Sequence, residues 1–282
     1  EVLFSTLNHT GASASWEHAA DARGFTVRRF PFPEEDVASL SRDDVTAAHV
    51  DQIRDETEVL VLPHVDNVYG VRHDVAGIAR VARARGVRWV LVDAAHSVGM
   101  HAVDVDALGV DLYATSAHKW LQAPKGLGLF WVSPELQSVL PRMWHKTGGT
   151  RIDQSARKYE DYSTRAWPAV VALGDALDFQ GAIGEQEKFR RYGVLLNHVH
   201  ERTRSDDRLV WRSPTDPALR TVIMAVGIRG VEAPDAAPRL LESVGAELRA
   251  FRGALDAMRV APNVTTTESE LDRFLDAAAE LA

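Results

Sequence analysis

Thr115, Ser116, His118 and Lys119 fall within five positions at the end of a hydrophobic run, Leu112-Tyr113-Ala114. Lysine is scarce: it occurs five times, at positions 119, 125, 146, 158 and 188, against 27 arginines. A chain that meets its need for plain positive charge with Arg keeps a buried Lys for what Arg cannot do: lose its proton and act as a nucleophile. Three more apolar runs end in polar groups. "EVLFSTL" leads to Asn8, His9 and Thr10, "EVLVLPHV" to His64, Asp66 and Asn67, and "RWVLVDAAHS" to Asp93, His96 and Ser97. Taken singly, an Asp after a strand is a helix cap and a His is a packed core residue. Four such ends at one edge of one sheet form a shared site.

The chemistry of that site narrows by elimination. His96, His101, His118 and Asp93 have irregular spacing and match no ligand motif, so no metal is expected. There is no Walker loop, and "KGLGLF" has too few glycines for a dinucleotide fingerprint. Cysteine is absent, which excludes disulfides, Cys-based zinc sites and a cysteine nucleophile in this chain. A carboxylate, a nucleophilic Lys and small hydroxyl and imidazole donors remain. That set meets the needs of pyridoxal phosphate: a Lys for the Schiff base, an Asp for the pyridinium nitrogen and donors for the phosphate.

The elements that must position these groups alternate. Strand-like runs at 1–7, 25–30, 57–65, 87–95 and 110–116 are separated by helical stretches at 15–24, near 43–54 and at 74–85. Their apolar runs are nearly continuous, as strands buried on both faces require. This predicts an α/β fold, a mostly parallel, doubly wound sheet with helices on both faces. A run at 126–132 follows too soon for a helical crossover and predicts an antiparallel return. Beyond residue 165 come helices over 166–183 and 184–204, strands at 208–212, 220–228 and 257–262, and helices near 236–247 and at 267–281. The last is capped by Thr266 or Thr267 with Glu270. A large domain over 1–199 and a smaller C-terminal α+β domain over 200–282 are expected. Glu1 opens directly into a strand, so an N-terminal segment is expected to be missing. The net charge of −8, with no basic run, speaks against nucleic acid as a partner. No apolar run approaches the roughly 18 residues of a membrane span, and no membrane partner is expected. The expected location is cytoplasmic.

The quoted segments "LVDAAHSVG" and "DLYATSAHKWLQAPKGLGLFWV" resemble the class V aminotransferase group of pyridoxal-phosphate enzymes of fold type I. The shared pattern is Asp-x-x-His/Gln, then Ser-x-His-Lys, then a Pro-x-Gly loop. "LPHVDNVYG", "TLNHTGASASW" (with Trp16 in register), "DYSTRAWPAVVALGDALDF" and "MRVAPNVTTTESELDRFL" extend the likeness along nearly the whole chain. "HKWLQAPKG" looks most like the isopenicillin-N-epimerase-like branch, beside the cysteine-desulfurase-like one. The resemblance implies that Lys119 holds the cofactor and shuttles the Cα proton, with Lys125 a turn residue. It implies that Asp93 pairs with the ring nitrogen, His9 stacks on the ring, and His96 and Asn67 contact the ring hydroxyl or the substrate carboxylate. It places Ser116 and His118 on the phosphate, Thr164 on the phosphate of a partner subunit's cofactor, and Arg259 on the substrate carboxylate. The implied protein is a homodimer with shared sites that acts on an amino acid, as an epimerase, aminotransferase or C–S lyase and not as a desulfurase working through its own Cys persulfide. Asn8, Ser163 and Ala261 depart from common family residues, and the family's N-terminal phosphate loop has no counterpart. A catalytically silent scaffold or binding module is therefore the alternative expectation.

Overall fold

The computed structural model describes residues 1–142, 155–160, 164–253 and 255–282. Lys146 and Ser163 lie outside them. Strands β1 (Val2–Ser5), β2 (Val27–Phe30), β3 (Val59–Pro63), β4 (Trp89–Asp93), β5 (Leu112–Ser116) and β6 (Gly128–Val132) form one sheet in the order β2-β1-β3-β4-β5-β6. The first five strands run parallel and β6 returns antiparallel to β5, as its spacing requires.

Successive residues of a strand face opposite sides, and the strands β1 and β3 are covered on both sides. Leu3, Leu60, Leu62 and Val90 form one core with Val45 of α2 (Arg42–Val50) and Ile78 and Ala79 of α3 (Val75–Ala84). Phe4 and Val61, from the alternate positions, pack with Trp16 of α1 (Thr10–Arg23). Each such side chain contributes about 1.5–3 kcal/mol by leaving water, which is why these runs read as unbroken apolar sequence. The expected helix to residue 54 stops at Val50. Ile53 turns back onto the core, and the Gln52 carbonyl accepts from Arg28.

A second, antiparallel sheet has the order β7-β8-β10-β9, formed by β7 (Leu209–Trp211), β8 (Met224–Ile228), β9 (Arg249–Phe251) and β10 (Ala257–Val260). The short β9 is not readable from its residues, because it has no apolar run and exists by pairing with β10. Among the described residues of the later chain are five α-helices: α4 (Pro134–Val139), α5 (Trp167–Ile183), α6 (Glu185–Ser205), α7 (Ala233–Val244) and α8 (Glu268–Ala279). α7 begins three residues before its expected start. Pro234 sits in its first turn, where a missing N–H costs nothing, and Gly245 (φ 71) ends it in the left-handed conformation. At α8 the cap is Thr267, in a reciprocal capping box with Glu270.

The expected division between residues 199 and 200 falls inside α6, whose Tyr192, Leu195 and Val199 belong to the core beneath the second sheet. We propose Gly184, the hinge between α5 and α6, as the dividing point. The second sheet docks on the loop after β3. Ser213 Oγ donates to the Tyr69 carbonyl at 2.6 Å, and Arg72 reaches the Ala218 carbonyl at 3.0 Å. Gly70 (φ 72) lies so close that a Cβ there would stand 2.0 Å from the Ile223 carbonyl oxygen, so only Gly serves. This docking carries β10, and Arg259 with it, to the edge of the first sheet.

Candidate active site

Neighbouring strands lie about 4.8 Å apart, so the C-terminal ends of the adjacent parallel strands β1, β3, β4 and β5 converge on one edge. They open on a cavity of about 560 Å³, within the about 300–1,000 Å³ common for small-molecule sites. Its floor is the apolar face of the sheet, Val61, Leu91, Leu112 and Ala114. Its polar rim is built from His9, Asn67, Asp93, His96, Ser116, His118 and Lys119. The structure thus brings together seven of the nine expected site residues as cavity lining.

Lys119 sits on a tight turn after β5, closed by the Ala123 N–H to the Ala117 carbonyl at 3.1 Å. Gln122 adopts the left-handed region (φ 60) in this turn, and its side chain accepts from Gln180 at 2.8 Å. Lys119 Nζ lies 3.0 Å from His96 Nε2, and the Trp120 indole N–H donates to His96 Nδ1 at 3.1 Å. Burial pushes the Lys119 amine below its ordinary pKa. Asp93 pulls it back up, and the charge of Arg259 presses it down again. His96 is held far down, at about 3, first by burial and then by Lys119, Arg259 and His9, so its ring is neutral at pH 7. Asp93, the last residue of β4, accepts from the Ala95 N–H at 3.0 Å through Oδ1, a bond that uses one of its two oxygens.

His9 is exposed and caps α1, its Nδ1 accepting from the Gly11 N–H at 3.0 Å. His118 is also exposed, while Ser116 is half-buried at the end of β5. Arg259 is half-buried on β10 and donates to the Asn67 carbonyl at 3.0 Å. It is not part of the cavity lining, but its charge reaches both Lys119 and His96. Thr164 is exposed and does not line this cavity, and a task at a partner subunit's cofactor is for it a proposal. Of the other strand-end groups, His64 works for the fold, and Asp66 lines the cavity while also holding its loop. His64 is buried against the Tyr113 hydroxyl at 2.7 Å. Asp66 pins its loop through the N–H groups of Val68, Tyr69 and Val71, and burial raises its carboxyl to about 6 against the pull of those donors.

Two contributors are not named by the sequence patterns. Trp120 touches His96, and its position directly after Lys119 is the signal that points to it. Lys188 is buried and donates to the Trp120 carbonyl at 2.7 Å and to Gln180. Its rarity as one of five lysines is a signal of the same kind as that of Lys119.

The set fits a phosphate-bearing aldehyde cofactor. Lys119 supplies a half-buried amine with a lowered pKa, Asp93 a carboxyl group at the strand end, and Ser116 and His118 donors at the rim. Among the described residues, no group of three or more His, Asp or Glu is arranged to hold a metal ion. No helix among them is long and apolar enough to cross a membrane.

Comparison with known proteins bears on the family and the fold. Residues 1–271 match the family model described as aminotransferase class-V. The chain is 29% identical to an isopenicillin N epimerase of Streptomyces clavuligerus, over 98% of this chain and 73% of that protein. It is 30% identical to a cysteine desulfurase of Dickeya dadantii, over 70% of this chain and 48% of that protein. Among solved structures, a cystine C–S lyase in complex with its product cysteine persulfide superposes with a TM-score of 0.84 at 21% identity, covering 99% of this chain and 74% of the other. A cysteine desulfurase of Thermococcus onnurineus superposes with a TM-score of 0.80 at 18% identity, covering 100% and 72%.

Proposed function

The chain belongs to the class V aminotransferase family, pyridoxal-phosphate-dependent enzymes of fold type I, and from that premise we propose that it acts on an amino acid by moving the proton on Cα with Lys119. The observation that carries this reading is the half-buried Lys119 amine in the cavity, 3.0 Å from a neutral His96 and under the opposed influence of Asp93 and Arg259. Bound pyridoxal phosphate supplies an electron sink that makes the Cα–H bond of an attached amino acid acidic. Asp93 would hold a proton on the cofactor's ring nitrogen and His9 would lie against the ring. Ser116 and His118 would hold the phosphate. Asn67 and His96 would contact the ring hydroxyl or the substrate carboxylate. Arg259 clamps the carboxylate as a planar fork.

Epimerisation, transamination and elimination of a sulfur leaving group share this first step. A relative named as an epimerase supports the first, and one named as a cysteine desulfurase supports chemistry at a sulfur leaving group. A persulfide carried on this chain is not part of the proposal, because none of its 282 residues is Cys. A homodimer is proposed, supported by the exposed apolar residues Trp167, Val171, Leu177 and Phe179 of α5, and the cytoplasm is the proposed location. The test is exchange of the Cα hydrogen in deuterated water across a panel of L- and D-amino acids with added pyridoxal phosphate. At least one amino acid should exchange, and Lys119→Ala should abolish it. No exchange with any of them would move the reading to a silent scaffold.

A further inference from the structure

Hydrogen-bond chemistry at His96 leaves one arrangement of protons. The Trp120 indole nitrogen is a donor and never an acceptor. It lies 3.1 Å from His96 Nδ1, so Nδ1 must offer a lone pair. A doubly protonated ring and a ring protonated at Nδ1 both set N–H against N–H and are excluded. The neutral ring then carries its proton on Nε2, which stands 3.0 Å from Lys119 Nζ. For that contact to be a hydrogen bond, the Lys119 nitrogen must accept, and only an uncharged amine can. Turning the ring over would give up both contacts, so the two partners also fix its orientation.

We propose that Trp120 is a positioning residue for Lys119: by taking the Nδ1 lone pair of His96, it keeps the Nε2–H donor aimed at the lysine nitrogen and so favours the lysine's nucleophilic, uncharged form. Trp120 is built to hold that place. It is 6% exposed, and its ring packs edge-on against Tyr192 with centroids 5.4 Å apart. Its carbonyl receives Lys188 and abuts Gly99, where a Cβ would stand 2.7 Å from that oxygen. The groups that face Lys119 and His96 besides each other are Asp93, Arg259 and His9. Asp93 favours the charged amine and Arg259 opposes it; the Trp120–His96 pair adds a directional contact that a charged amine cannot make. The inference rests on the proposed function only in treating Lys119 as the working amine.

The test needs neither cofactor nor substrate, so its outcome is separate from that of the exchange experiment. The cofactor-free chain is treated at a series of pH values with a limiting amine-acylating reagent, and the rate at the Lys119 peptide is read by mass spectrometry. The same is done for Trp120→Phe and for the chain with 3-benzothienylalanine at position 120. That residue keeps the bicyclic shape and has sulfur in place of the N–H, which guards against a packing defect in the Phe variant. Without the indole donor, Nδ1 can take the proton and Nε2 can accept from a lysine ammonium. A hydrogen bond to a charged group is strong enough to lower the reactive fraction of Lys119 at pH 8 by about tenfold. His96 nitrogen-15 shifts, assigned by their loss in His96→Gln, should show Nε2–H in the parent chain and a population of Nδ1–H in both variants. An unchanged Lys119 profile in the benzothienyl protein, or Nδ1–H in the parent chain, overturns the proposal.

Discussion

Replacing Lys188 with Met isolates the electrostatic strain beneath the reactive turn. Lys188 is 3% exposed, and its ammonium faces the Trp120 carbonyl and the Gln180 side-chain oxygen. Burial lowers its pKa from the ordinary 10.5 to about 8. Below pH 8 the folded and unfolded chains both hold the proton, and stability does not change with pH through this group. Between about pH 8 and 10.5 the unfolded chain keeps the proton and the folded one has shed it, so stability rises with pH. The whole gain is at most on the order of 3 kcal/mol. The neutral amine retains two N–H donors for its two acceptors. Urea unfolding at intervals from pH 7 to 10.5 measures the effect. The difference between the parent chain and Lys188→Met cancels other groups that titrate in this range, including tyrosines such as Tyr113 and Tyr192, whose pKa burial raises. That difference should grow in favour of the parent chain as pH rises. A difference that stays flat, or shrinks, refutes the reasoning.

Other perturbations test the site directly. Asp93→Asn should slow Cα exchange on the order of 10²-fold while pyridoxal phosphate absorbance on the protein is partly retained; an unchanged rate would reduce Asp93 to the cap it forms with Ala95. Arg259→Lys should raise the substrate KM about tenfold with a smaller change in kcat, since a lysine cannot reproduce a bidentate fork. An equal loss in both substrate-rich and substrate-poor assays would count against a carboxylate clamp.

Val2-Leu3-Phe4 and Leu60-Val61-Leu62 were legible because a parallel strand covered on both faces must be apolar at every position, and no other common element demands that over so few residues. Once the sheet is parallel, the polar groups after β1, β3, β4 and β5 fall on one edge, so Lys119, Asp93, His96 and Asn67 could be read together. Which of the polar groups face inward was harder to see. His64 stands close to Asn67 in the chain, yet it is buried against Tyr113 and outside the cavity lining, because direction there depends on the turn and not on residue type. The place of Arg259 depends on how the second sheet docks at Gly70, a contact between segments more than 150 residues apart that no local pattern records. The Trp120–His96 pair likewise depends on the turn through Gln122, a non-glycine residue at positive φ, which sequence alone gives no reason to expect.

The central claim is that Lys119 is the amine that holds the cofactor. The chain is mixed with pyridoxal phosphate, reduced with borohydride, digested and mapped by mass spectrometry. The account predicts a pyridoxyl adduct on Lys119, lost in Lys119→Ala. An adduct on Lys125 or Lys188 in place of Lys119, or stoichiometric labelling that survives Lys119→Ala, contradicts it.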